Sequence, residues 1–146
     1  KSIILYPGAS PDAENHPKME MLGIVLAQNG YKVFIPRIPP LKSLDISSTN
    51  VEWFICFYKW LLDTQKISTD IVSMIGISYG GGLMLKACQK FKTVLPSPFL
   101  LMTHGTFADA ESTIRFLLNG KISIHGTQYT IKPHSWGLIV LFQNFL

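Results

Sequence analysis

Met74-Ile75-Gly76-Ile77-Ser78-Tyr79-Gly80-Gly81-Gly82 decides how this chain is read. Before it runs Asp70-Ile71-Val72-Ser73-Met74-Ile75, a nearly continuous apolar run of strand length. After it, Leu83 to Phe91 reads as helix. Ser78 therefore sits where a buried strand turns sharply into a helix. So tight a corner strains the serine backbone. The spacing predicts that residues 76 and 80 approach each other there, which glycine at both positions permits.

Outward from this corner the chain alternates. Ser2 to Tyr6 reads as a strand that ends in the turn-rich Pro7-Gly8-Ala9-Ser10-Pro11. His16-Pro17 opens a helix through Asn29, closed by Gly30, and Tyr31 to Ile35 forms the next strand. Pro36, Pro39 and Pro40 stiffen the following loop, whose Arg37 and Leu41 are candidates for a substrate rim or for plain loop packing. Thr49-Asn50-Val51-Glu52 has the form of a capping box, and the helix behind it, to about Gln65, is strongly aromatic. Trp53, Phe57, Trp60 and Leu61 make one stripe and Phe54, Tyr58 and Leu62 widen it, which predicts burial on more than one side. A fourth strand, Phe99 to Thr103, ends at His104-Gly105. Strands and helices alternating in this way predict parallel pairing through right-handed crossovers, in a three-layer α/β/α arrangement.

Gly76-Ile77-Ser78-Tyr79-Gly80, between its strand and helix, resembles the nucleophile elbow of the α/β-hydrolase family of serine hydrolases. The resemblance covers residues 1 to about 105, the middle of such a domain. It implies a sheet in which the first strand lies between the second and the third, with the fourth outside the third. It implies Ser78 as nucleophile and the Tyr79 amide as one oxyanion donor. It makes the Ala9 amide the second donor, with Tyr6-Pro7-Gly8-Ala9 standing where the family often has a His-Gly pair. The family order of serine, acid and histidine runs Ser78, Asp109, His134 here, although His134 equally suits a helix opening or a lid. His104 points to the same end of the sheet but comes early for that role, and His125 belongs to a hairpin.

Past residue 105 the alternation stops. Phe107 to Leu118 predicts a helix, Lys121 to His125 and Gln128 to Lys132 a hairpin around Gly126-Thr127, and Trp136 to Leu146 a last apolar helix. Residues 1–146 thus read as a single, partial domain, with 106–146 as the start of a lid or cap insertion. The resemblance lacks the family's outer strands, so the second and fourth strands are expected to be sheet edges completed by a longer chain or by a partner. Lys1 runs straight into a strand without an initiator Met, as in a segment of something longer.

Charged residues make up only 15% of the chain against 47% hydrophobic, so much of it must be interior. Thirteen basic and nine acidic residues are scattered, without aromatic interleaving, which argues against a nucleic-acid partner. Cys56 and Cys88 are expected as buried thiols without a disulfide, and no metal or cofactor is expected. With no long apolar span, a soluble, cytoplasmic protein is the expectation, and the resemblance implies a small ester or other acyl substrate. A non-catalytic hydrolase-fold interaction module is the alternative, as is an acyltransferase or thioesterase using the same residues. A nucleotide-binding domain fits less well, since Gly80-Gly81-Gly82 lacks a P-loop ending and Leu85 occupies the last glycine position of a dinucleotide fingerprint.

Overall fold

The computed structural model describes residues 1–45, 47–107 and 109–145, which form two compact units, 1–106 and 107–146.

In the first unit, four strands form one parallel sheet: β1 (Ser2–Tyr6), β2 (Lys32–Phe34), β3 (Val72–Ile77) and β4 (Leu100–His104). They are parallel, as the alternation predicted, and their order is β2-β1-β3-β4, as the resemblance implied. β1 pairs with β2 on one side and β3 on the other, and all five of its residues are buried. Side chains alternate across it, as strand geometry demands. Ile3 and Leu5 face α1 (Pro17–Gln28) through Met19, while Ile4 and Tyr6 face α3 (Val51–Gln65) and α4 (Ser78–Phe91). The sheet therefore carries helices on both faces.

His16 caps α1, its Nδ1 accepting from the Lys18 amide at 3.2 Å, and Pro17 occupies the first turn. The start of α3 differs from its capping-box reading. A 3-10 turn (Ser48–Asn50) precedes the helix, Asn50 holds the cap position, and Thr49 Oγ1 pairs with Ser47 Oγ at 2.7 Å. The aromatic face is also narrower than its sequence suggests. Phe54, Tyr58 and Leu61 are buried, whereas Trp53 and Trp60 are 46% and 43% exposed. A helix beside one sheet and one neighbouring helix needs a single apolar stripe, and residues 51, 54, 58 and 61 supply it. Tyr6 stacks on Phe54 at 4.4 Å between ring centroids and donates a hydrogen bond to the Phe54 carbonyl at 3.3 Å. The thiols are free, but Cys56 is exposed on this helix rather than buried, and Cys88 is half-buried.

Leu41, on the short helix α2 (Pro39–Lys42), is fully buried in the core and so is no rim residue. The sheet ends at β2 and β4. β2 is only three residues long and carries Lys32, which blunts it as a pairing edge. β4 leaves Leu100, Leu101 and Met102 exposed.

The second unit contains α5 (Ala110–Asn119), the antiparallel pair β5 (Lys121–Ile124) and β6 (Thr127–Thr130), and α6 (Ser135–Phe145). The hairpin turn is His125-Gly126, one residue earlier than its alternation suggested. Both turn residues have positive φ, 48° and 81°, the requirement of a tight two-residue hairpin turn, so glycine takes the second position. Ala108, within the expected Phe107–Leu118 helix, and Leu146, the end expected for the last helix, lie outside the described residues. Among the described residues no helix is long and apolar enough to cross a membrane.

Candidate functional site

All four strands of the first unit are parallel, so their carboxyl ends share one side of the sheet. Ser78, Pro7-Gly8-Ala9 and His104 gather there, the end at which open α/β sheets present their loops to ligands.

Ser78 has φ of 50° with β3 directly before it and α4 starting on it. A non-glycine residue in the left-handed region costs on the order of 1–2 kcal/mol, so the surrounding packing must impose it. Its side chain is exposed, standing off the end of the sheet rather than inside the helix. The helix amide of Tyr79 follows immediately, at the positive end of the α4 dipole.

The glycines serve this corner differently from the simple expectation that 76 meets 80. A Cβ at Gly76 would lie 2.5 Å from the Gly81 Cα, so β3 and the first turn of α4 touch through two glycines. A Cβ at Gly80 would instead overlap the Pro7 carbonyl. Gly80 thus lets the loop after β1 close over the corner. That loop reaches the serine itself: a Cβ at Gly8 would stand 3.1 Å from Ser78 Cβ and 3.7 Å from its Oγ. Ala9 follows within the same loop, half-buried against the core cluster that Tyr79 also joins.

Tyr79 lies between the core and the segment after α2. Its phenol is pushed up to about 12, first by burial and then by the nearby Asp45 carboxylate. Asp45 is itself anchored: its Oδ1 accepts from the Ser47 amide at 2.7 Å and its carbonyl from Asn50 Nδ2 at 2.7 Å. On the neighbouring strand, His104 pairs in register with Ile77, one residue before the serine, and is exposed. Thr106 Oγ1 is buried beside Gly81 without a hydrogen-bond partner among the described residues. Glu14, Asp45 and Thr106 carried no local motif; only their positions in space bring them to the loop end of the sheet.

The proposed acid and base belong to the second unit. Asp109 caps α5, its Oδ2 accepting from the Ser112 amide at 2.6 Å. That bond, followed by the Ser112 hydroxyl, holds the carboxyl below its usual range although the group is fully exposed. His134 precedes α6, with its Nδ1 accepting from the Trp136 amide at 3.2 Å, and His125 occupies the hairpin turn. Among the described residues of the first unit, no hydrogen bond joins Ser78 Oγ to His16 or His104. No group of three or more potential metal ligands occurs among the described residues either. A concavity of about 520 Å³ lies elsewhere, along α1 and β2, lined in part by Glu14, Glu20, Ile24 and Val33.

No family model matches this chain, and comparison with curated proteins and with solved structures also gives no match.

Proposed function

We propose that the first unit is the nucleophile-bearing core of an α/β-hydrolase-type serine hydrolase, acting on carboxylic esters or related acyl compounds. The observation that carries this reading is Ser78 at φ 50° on a strand-to-helix corner, with the Gly8 backbone against its side chain. In this mechanism Ser78 Oγ attacks the acyl carbonyl while a histidine takes its proton, because a neutral serine is a weak nucleophile. The Tyr79 and Ala9 amides are the donors proposed for the resulting oxyanion. Collapse of the tetrahedral intermediate expels the alcohol, and water then releases the acyl group. The resemblance assigns the base to His134 and the acid to Asp109. Transfer to an acceptor other than water would make the same site an acyltransferase, and a thioester substrate would make it a thioesterase.

A fluorophosphonate probe tests the reading. Labelling of the folded, full-length protein at Ser78, abolished in Ser78→Ala, is the expected result. Absence of labelling in folded protein would remove the hydrolase assignment. That outcome would favour a second reading, a non-catalytic interaction module of the same fold, which gains support from the exposed Leu100, Leu101 and Met102 of the edge strand β4.

A further inference from the structure

The loop after β1 bears on Ser78 through Gly8, but Gly8 cannot fix its own position. The loop is held further along. The Ser10 amide donates to the Leu41 carbonyl at 3.1 Å, and Leu41 is fully buried. A 3-10 turn (Ala13–Asn15) follows, with buried Ala13 forced to φ 40°. This turn aims Glu14 at the α2 segment. Glu14 Oε1 lies 3.2 Å from Lys42 Nζ, with the two side chains only 13% and 27% exposed. Arg37 approaches the same oxygen at 3.8 Å but is 72% exposed, so it contributes little. Glu14 Oε2 is buried and unpartnered among the described residues, which leaves the carboxylate dependent on Lys42.

The α2 segment continues to Asp45, whose amide donates to the Pro40 carbonyl at 3.0 Å and whose carboxylate neighbours Tyr79. Glu14 and Lys42 therefore join the two segments that flank the corner, one touching Ser78 and the other beside the residue after it.

We propose that Glu14 is a positioning residue for Ser78, holding loop 7–16 and segment 37–45 together through Lys42 so that the Gly8-Ala9 backbone stays set over the serine. This inference rests on the hydrolase reading, and it concerns the reactivity of Ser78 beyond folding alone. A partly dry ion pair suits the task, since its attraction is less screened than that of the exposed Glu52–Lys90 pair, which joins the start of α3 to the C-terminal end of α4.

The test measures the rate of fluorophosphonate reaction at Ser78 alongside hydrogen–deuterium exchange in the full-length protein. Glu14→Gln and Lys42→Met are each expected to slow labelling roughly tenfold or more, the scale on which a small displacement of a positioned group acts. Exchange should quicken in 8–16 and 37–45 while β1 and β3 stay protected. The double variant should react no more slowly than the slower single one, as partners in one interaction do. Glu52→Gln, removing the exposed pair, should react like the parent. Labelling within twofold of the parent in both single variants, or unchanged exchange in both segments, overturns the positioning role alone. An unlabelled parent protein overturns that role together with the hydrolase reading.

Discussion

Gly80 abuts the Pro7 carbonyl so closely that a methyl group at residue 80 would overlap the oxygen. The obstacle is backbone on both sides, so no flexible side chain can yield. Gly80→Ala is expected to destabilise the first unit by about 1–3 kcal/mol, the cost of overpacking. It should also displace Gly8 from Ser78. Gly30→Ala is the matched comparison: φ there is 85° but the space around it is open, so only backbone strain of about 1 kcal/mol is expected. Urea unfolding of both variants, with labelling of the folded protein, measures the difference.

Ser78 supplies a second test of strain. Alanine and glycine both remove the hydroxyl, but only glycine relaxes at φ 50°. Ser78→Gly should therefore be more stable than Ser78→Ala by about 1 kcal/mol, and neither should react with the probe. Equal stabilities would mean that the corner is not strained in solution.

On α3 the buried and exposed aromatics should separate cleanly. Phe54→Ala removes the ring stacked on Tyr6 and should cost about 3–5 kcal/mol. Trp53→Ala, on a half-exposed position, should cost less than about 1 kcal/mol. Denaturation midpoints of the two variants decide it.

Tyr58 predicts the alkaline limit. Burial first, and then Cys88, pushes its phenol from 10.0 up to about 12. The folded protein keeps this proton while the unfolded chain releases it, so the contribution is complete below pH 10 and is lost as pH rises towards 12. Stability should fall over that window. Tyr58→Phe, which also forfeits the hydrogen bond to the Pro96 carbonyl, should be less stable at neutral pH but fall less steeply above pH 10.

Asp109 predicts the opposite limit for α5. Its pKa is depressed by the Ser112 amide, so the cap is intact above the ordinary carboxylate range and fails as pH drops through the lowered value. Amide signals of the first turn of α5 should lose protection in acid. Asp109→Asn retains the acceptor and should remove that pH dependence.

Much of the first unit was legible because it is written locally. Apolar runs of strand length, helices with one apolar stripe and the handedness of crossovers together specify a parallel sheet, while the order β2-β1-β3-β4 was implied only by the resemblance. The corner at Ser78 was legible for the same reason, since strand, glycine, serine and helix are neighbours in the chain. Leu41 stays open in the sequence between a substrate rim and plain packing, because a leucine among prolines does not show which until the core closes on it. Trp53 and Trp60 misled because composition shows that a helix is apolar without showing how many neighbours it has.

What sequence determined by itself, then, was which segments are strands and helices, and where a serine would be bent out of a sheet. Tertiary structure alone decided what meets that serine: Gly8 at its side chain, the Pro7 carbonyl against Gly80, Asp45 near Tyr79, and Glu14 on Lys42. The division has a physical cause. Periodicity records which face of a segment avoids water, whereas contacts among loops depend on how distant strands pair, and no repeating pattern encodes that.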